Sequence, residues 1–240
     1  MSQFPESFTN RKPIELEYGT DDRAVFNFFN AVYAWMSTAL AVTAASAWLT
    51  SQNFELVKVL YTRGISIAIM LGLVALVLVI RPVAYRISAA AATVLFLIYA
   101  GLVGMAISGI FVVYKLSSIG GVFVVTAGMF GGMSVFGFIT KRNLTTIGSL
   151  CMMAFWGIFL AAIVNIFLGS SGLSWLISFI GVFVFTGLMA YDTQKLRTLA
   201  NETGNNADMA ARVAIIGSLE LYLDFINLFL SLLRLLGSRK

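Results

Sequence analysis

Long apolar blocks separated by short polar stretches dominate the chain from residue 25 onward. A helix needs about 20 residues to cross a bilayer core of ~30 Å, and most of the blocks reach that length. The second block is short unless it begins near Leu56, and the weakest boundary lies at 108–121. The pattern predicts an all-α integral membrane protein over residues 24–240, a seven-transmembrane-helix bundle with spans at 25–49, 65–80, 87–107, 122–139, 144–168, 173–191 and 214–236.

Polar side chains form a stripe along the last predicted span, which is otherwise apolar. At 100° per residue the stripe falls within one arc of about 100°. Such an arc faces protein or water, because lipid offers no hydrogen-bond partners. We therefore expect a central seventh helix. The members of the stripe are spaced three and four residues apart: Gly217, Glu220, Asp224, Asn227, Ser231 and Arg234.

The members of this stripe carry different expectations. Glu220 is either half of a buried ion pair or a group exposed at a water-filled mouth. Asn227 and Ser231 are expected to form hydrogen bonds between helices. Arg234 is expected to extend its charged head to the membrane surface. Asp224 is expected to be functional, because an acid at the bilayer centre costs at least ~2.5 kcal/mol.

A second acid, Asp192, ends the sixth predicted span and is the natural partner for Asp224. Asp224 lies twelve residues after Arg212, which is ~18 Å along a continuous helix. For the two acids to meet, the seventh helix must begin early, or a water-filled funnel must reach Asp224.

Small residues are frequent within the spans, notably at 89–92 and in the G-x-x-x-G pattern from Gly128 to Gly132. Small residues let helix backbones approach closely in lipid. We therefore expect these glycines to lie at helix–helix contacts and not at a ligand site.

Composition and charge narrow the classes of function. Only 11% of the 240 residues are charged and 59% are hydrophobic, whereas about a quarter of the residues of a soluble domain are charged. The chain contains no histidine, which excludes a Ser-His-Asp triad, His-ligated haem and ordinary zinc sites. We expect a protein that is not an enzyme and needs no cofactor. The net charge of +5 indicates basic cytoplasmic loops and not nucleic-acid binding.

The distribution of Lys and Arg predicts the orientation. Ten of these residues lie in the N-terminal tail and in the loops after spans 2, 4 and 6, and six lie on the other side. The positive-inside rule then places the N-terminus in the cytoplasm. Residues 1–23 hold five of the eleven acids and are expected to form a disordered cytoplasmic tail. A six-span alternative would place both termini inside.

Two motifs resemble signatures of the Bax inhibitor family, also called the transmembrane Bax inhibitor motif proteins. Residues 186–196, TGLMAYDTQKL, resemble its sixth-helix signature, and residues 221–230, LYLDFINLFL, are similar to its seventh-helix signature. The run at 127–131 and the turn at 140–142 also look like bacterial members. The resemblance covers residues from about 24 to 240.

This resemblance implies six helices around a central seventh and a pH-sensitive calcium leak through the plasma (inner) membrane. By matching motif, Asp192 and Asp224 form the gating, proton-sensing dyad and line a possible Ca²⁺ path. The family also has an arginine after its second helix that latches the first aspartate. Arg86 matches this position slightly better than Arg81.

The chemistry of the residues fits that implication. Two carboxylates in a low-dielectric site cannot both ionise cheaply, so we expect them to share a proton. Loss of the proton would leave oxygen ligands suited to Ca²⁺, with Glu220 and Asn227 as accessory polar groups. The expected partners are the lipid bilayer, Ca²⁺ and protons. The alternative is a regulatory membrane protein that binds and restrains a membrane protease or a stress-response partner through residues 1–23.

Overall fold

The computed structural model describes residues 22–203 and 206–240, and these ranges fold into nine α-helices. Seven stretches of these ranges are long and apolar enough to cross a membrane; the third joins α4 and the short α5 over Ala89–Val113, and the short α2 belongs to none of them. The predicted all-α bundle with seven spans is therefore confirmed. The helices are α1 (Asp22–Ser51), α2 (Phe54–Leu60), α3 (Arg63–Ala84), α4 (Ala89–Ile107), α5 (Ile110–Val113), α6 (Leu116–Ile139), α7 (Thr145–Leu168), α8 (Ser171–Thr203) and α9 (Ala207–Leu236).

The predicted tail over residues 1–23 lies outside the described residues except for its last two positions, which already belong to α1. The second span does not begin near Leu56, because residues 54–60 form a separate short helix. The side chain of Asn53 caps that helix by accepting a hydrogen bond from the Leu56 N–H at 3.1 Å. The fourth span begins at Leu116, six residues earlier than predicted.

The last two helices are both longer than their apolar blocks. The apolar block ends before Asp192, but α8 continues through the polar residues that follow, as far as Thr203. α9 begins at Ala207 and not near residue 214. Its start is fixed by Asn206, whose side chain accepts a hydrogen bond from the Met209 N–H at 3.0 Å. Both aspartates therefore lie well inside continuous helices.

α9 is the central helix of the bundle. Within the most apolar stretch of each spanning helix, 83% of the α9 residues are buried, against at most 39% in the other six. α9 packs against α8, α1, α6, α4 and α3, whereas α7 packs on the outside against α8. The prediction of a central seventh helix from its polar stripe is confirmed.

The close helix contacts do not lie where the G-x-x-x-G pattern predicted. Among the described residues, no neighbouring helix comes within 4 Å of the positions that a Cβ would take at Gly128, Gly131 and Gly132, so this expectation was wrong. On the same helix, Gly137 instead meets the backbone of Ala190 in α8. Sequence spacing marks small residues, but it does not say which of them face a neighbour.

The bundle has two ends of different character. The hairpin end, as we call it, holds the end of α8, the start of α9, the start of α1 and the turns after α3 and α6. At the opposite end, residues 237–240 pair with the α5–α6 connection. There the Lys115 N–H donates to the Ser238 carbonyl at 3.1 Å, and the Lys240 N–H donates to the Val113 carbonyl at 3.0 Å.

Candidate functional site

Successive polar residues of α8 connect this helix to different neighbours. Thr193 is fully buried and lies 3.4 Å from the hydroxyl of Ser134 in α6. Gln194 accepts a hydrogen bond from the Leu144 N–H at 2.8 Å, which satisfies a free donor at the start of α7. Asp192 and Lys195 are three residues apart and share the face toward α9.

Asp192 and Asp224 meet between α8 and the central helix. Asp192 is 8% exposed and Asp224 is 6% exposed. The two carboxyl groups lie within hydrogen-bonding reach of each other. A hydrogen bond between carboxyl groups requires a proton on one of them.

The antiparallel register of α8 and α9 explains why these acids meet. Leu196 lies over Gly217, where its side chain fills the position that a Cβ would occupy. Further from the connection, Ser231 comes close to Gly181 in the same way. Asp192 and Asp224 lie between these two contacts. The early start of α9 therefore lets the acids pair deep in the bundle.

Glu220 lies one turn from Asp224 and is held by two cations. Lys195 donates to both of its carboxylate oxygens, at 3.0 Å each, and the guanidinium of Arg81 forms an ion pair with it. Glu220 itself is only 7% exposed. Of the two alternatives that the sequence left open for this residue, the structure shows the buried ion pair.

The two candidate latch arginines occupy different places. Arg81 lies in the last turn of α3, which continues through Pro82 to Ala84, and its charge acts on both aspartates. Arg86 lies beyond the end of α3 and is exposed. Arg81, and not the slightly preferred Arg86, therefore reaches the cluster of charged side chains.

The sequence of the chain matches a known family over the same helices. The model of the Bax inhibitor family, described as inhibitor of apoptosis-promoting Bax1, matches residues 25–240. The chain belongs to this family.

Close relatives of this Bax inhibitor family member occur in distant bacteria. The chain is 44% identical over 211 residues to the inner membrane protein YbhL of Escherichia coli (strain K12), covering 87% of the chain and 90% of the relative. It is 45% identical over 215 residues to a protein of Deinococcus radiodurans, covering 90% and 92%. A protein of Borreliella burgdorferi is 43% identical over 214 residues, covering 89% and 92%.

Lys195 is the member of the cluster that the sequence reasoning missed. It was counted only as a cation of the loop after the sixth span. Its spacing of three residues from Asp192 placed both on one face of a helix, and this signal was available once the helix was allowed to continue. Lys195 acts electrostatically on Asp192 and Asp224 as well as pairing with Glu220.

The remaining stripe residues differ from expectation in one respect. Asn227 donates to the Leu223 carbonyl at 2.8 Å, and Ser231 donates to the Asn227 carbonyl at 2.8 Å. Both hydrogen bonds are within α9, so the predicted hydrogen bonds between helices are replaced by bonds to the preceding turn. Arg234 is exposed, near the far end of the helix.

The cluster does not form a metal cage. Within residues 22–203 and 206–240, no three side chains of the His, Cys, Asp and Glu types gather closely enough to hold a metal ion. Ca²⁺ takes six to eight oxygen ligands. Asp192 and Asp224 provide two carboxylates with at most four oxygens, which is fewer than this number.

Proposed function

We propose that this Bax inhibitor family member is a pH-sensitive calcium-leak channel gated by Asp192 and Asp224. The observation that carries the proposal is the meeting of these two buried carboxyl groups between α8 and the central helix. A site that serves only helix packing does not need two acids in contact, because burying charge in a membrane protein is costly.

The charges of the cluster favour one shared proton. Asp192, Asp224 and Glu220 provide three carboxyl groups, and Arg81 and Lys195 provide two cations. With every group ionised the cluster has one excess negative charge, and with one proton it is neutral. A neutral cluster suits a buried position, so the closed state holds a proton between Asp192 and Asp224.

Loss of this proton opens the path. Two carboxylates in contact repel each other, and the repulsion drives α8 and α9 apart at this level. The separated carboxylates then present oxygens that suit Ca²⁺. Because they offer too few ligands for tight binding, they suit an ion that passes through and not one that stays.

Arg81 and Lys195 oppose the cation in this scheme. Both attract the aspartates, so each competes with Ca²⁺ for the ionised carboxylates. Glu220 restrains this competition because it pairs with both cations. Arg81 takes the latch role that the family resemblance assigns to an arginine after the second helix.

The relatives support the proposed membrane, and the distribution of charges supports the proposed orientation. The relative in Escherichia coli is named an inner membrane protein, and we assign this chain to the inner membrane as a multi-pass protein. The hairpin end faces the cytoplasm, together with the N-terminus, because ten of the sixteen Lys and Arg residues lie on that side.

The test is Ca²⁺ entry into liposomes that contain the purified protein, followed with a Ca²⁺-sensitive dye from mildly acidic to mildly alkaline pH. Wild-type flux should rise with pH. Asp224→Asn should lose most of this pH dependence, because an amide at position 224 cannot exchange the shared proton. Glu202→Gln, which removes an exposed acid of α8, is the matched control and should keep the wild-type profile.

An Asp224→Asn profile that coincides with the wild type would exclude the dyad as the gate. The same experiment separates the channel from the alternative of a regulatory partner-binding protein. In that alternative the aspartates are structural, and pure liposomes should show no pH-dependent Ca²⁺ entry with any variant. Deletion of residues 1–23 should then abolish partner binding, whereas it should leave the flux of a channel intact.

A further inference from the structure

A groove lined largely by alanines, together with larger side chains such as Phe28 and Trp35, opens on the bundle near the hairpin end, between α1, α4 and α9. Its two adjoining parts have volumes of about 400 and 350 Å³ and share Ala31, Ala211 and Ala214. Ala90 and Ala211 are exposed, so the groove is open to the surroundings of the bundle. Water finds too few hydrogen-bond partners in such a place, whereas a hydrocarbon chain loses nothing there.

Arginines surround the end of this groove. Arg212 follows Ala211 of the lining, and its Nη1 donates to the Tyr85 carbonyl at 3.4 Å, in the turn that leads into α4. Arg86 stands exposed in the same turn. The groove therefore combines an apolar floor with a basic rim.

Arg212 still has hydrogen-bonding capacity toward a ligand. Its Nη2 pairs with Asp208 at 3.0 Å, and Asp208 is 79% exposed, so the pair is weak. Nη1 and Nη2 each carry a second N–H, and the side chain is 28% exposed, so the guanidinium remains accessible to a ligand. A phosphate oxygen is the acceptor that an arginine donor binds most favourably.

We propose that this groove binds an anionic phospholipid, with one acyl chain against the alanines and the phosphate at Arg86 and Arg212. Charge complementarity decides between occupants: Arg86 and Arg212 together outweigh Asp208, the acid that pairs with Arg212, which suits a negative headgroup. Basic pockets between helices on the cytoplasmic side of a membrane bind such headgroups. The proposal does not depend on the channel function, because no residue of the charged cluster lines the groove.

The first test titrates phosphatidylglycerol onto the purified full chain in detergent and counts bound lipid by native mass spectrometry. The double variant Arg86→Gln/Arg212→Gln should lose about fivefold in affinity for each arginine. The matched control, Lys141→Gln/Arg142→Gln, removes two exposed cations from the turn after α6 and should bind like the wild type. Equal affinity for zwitterionic phosphatidylcholine, or equal losses in both double variants, would overturn the proposal.

The second test fills the groove without touching its charges. Ala211→Leu should lower the affinity for phosphatidylglycerol by about fivefold or more, because the added side chain occupies the space of the acyl chain. The control, Ala44→Leu, enlarges an exposed alanine of α1 away from the lining and should leave binding unchanged. Unaltered lipid binding in Ala211→Leu would overturn the proposal. So would a change of oligomeric state alone, which would assign the groove to a second copy.

Glycerol phosphate provides the third test, because it carries the headgroup without the chains. In competition with phosphatidylglycerol it should be at least tenfold weaker on a molar basis if the groove contributes. If glycerol phosphate competed equally well, the rim alone would be the site and the acyl-chain groove would be excluded. Melting temperatures in lipid-free detergent should show that every variant is folded.

Discussion

Lys195 of α8 donates hydrogen bonds to both carboxylate oxygens of Glu220 in α9, at 3.0 Å each, between the aspartate pair and the hairpin end. Together with Arg81, which also pairs with Glu220, these residues form a group of charges on one side of the two aspartates. In the proposed scheme, the protonation equilibrium of Asp192 and Asp224 therefore depends on Arg81, Lys195 and Glu220 as well as on the two aspartates.

Replacement of Glu220 by Gln removes the counter-charge of two cations. The positive charges of Arg81 and Lys195 are then no longer neutralised by Glu220. They attract Asp192 and Asp224 more strongly, which favours the ionised form of both aspartates. The midpoint of the Ca²⁺ flux profile should move to lower pH by about one unit. Liposome flux against pH measures this shift. A midpoint that stays in place, with Glu202→Gln as the control, would contradict the assignment of Glu220 as the restraint on these cations.

Arg81 and Arg86 make a matched pair of arginines at the same end of α3. Arg81→Gln removes a positive charge that attracts both aspartates, so the shared proton should be held more firmly and the flux midpoint should move to higher pH. A shift of about one unit is expected. Arg86→Gln removes an exposed charge outside the cluster and should leave the midpoint where it is. A larger shift of the midpoint in Arg86→Gln than in Arg81→Gln would show that Arg86 is the latch.

Much of this site could be predicted from the sequence, because acids are rare inside apolar helices. Asp192 and Asp224 were identified from that rarity together with the family signatures, and the stripe predicted the central position of α9. Glu220 was left open between two environments, because a helical arc places a residue on a face without naming what lies opposite. The cations that lie opposite Glu220 are Arg81 of α3 and Lys195 of α8.

The helix ends were less predictable, because hydropathy marks the part of a helix that lies in the membrane and not the residues at which the helix begins and ends. The polar residues after Tyr191 end an apolar block, yet α8 continues to Thr203. The capping residue Asn206 and the alanines after it indicated an early start of α9. The choice between Arg81 and Arg86 depended on whether α3 continued through Pro82, and a proline in a last turn leaves that open.

Gly137 and Gly128 of α6 offer a matched test of helix packing. A methyl group at position 137 would meet the backbone of Ala190 in α8, which has no flexible end to move aside, whereas position 128 has open space. Gly137→Ala should lower the free energy of unfolding by about 1–3 kcal/mol. Gly128→Ala should be neutral or stabilising, since alanine is the better helix former.

Thermal unfolding in detergent compares the two variants with the wild type. A melting temperature that falls only in Gly137→Ala is the expected result. Because Ala190 lies two residues before Asp192, the same variant should also change the flux profile. Equal melting temperatures in both variants would show that α6 and α8 separate easily, contrary to the close backbone contact.

Tyr61 joins the α2–α3 connection to the end of α4 and to the start of α5, outside the membrane-spanning helices. Its hydroxyl donates to the Ala106 carbonyl at 3.0 Å and accepts from the Gly109 N–H at 3.1 Å. Partial burial raises the pKa of Tyr61 above its ordinary value, against the smaller opposing effects of the Gly109 N–H and of Arg234. The folded protein therefore keeps this proton to higher pH than the unfolded chain does.

The pH dependence of a Tyr61→Phe variant follows from that direction. At neutral pH the variant should be less stable by about 0.5–1 kcal/mol, because two backbone groups lose their hydrogen-bond partner. The loss is small because Tyr61 is half exposed, so water can replace part of the lost bonding. Above about pH 10 the unfolded wild-type chain loses the Tyr61 proton first, so the free energy of unfolding of the wild type falls. The difference between wild type and variant should therefore narrow as the pH rises past that value.

Denaturant unfolding in detergent at neutral pH and above pH 10 measures the effect of Tyr61→Phe. Tyr85→Phe, which alters an exposed tyrosine in the turn after α3, should match the wild type at neutral pH. A difference between wild type and Tyr61→Phe that stays constant across this range would show that the Tyr61 hydroxyl titrates alike in both states. Equal stability of the wild type and Tyr61→Phe at neutral pH would show that the aromatic ring, and not the hydrogen bonds of the hydroxyl, stabilises the connection.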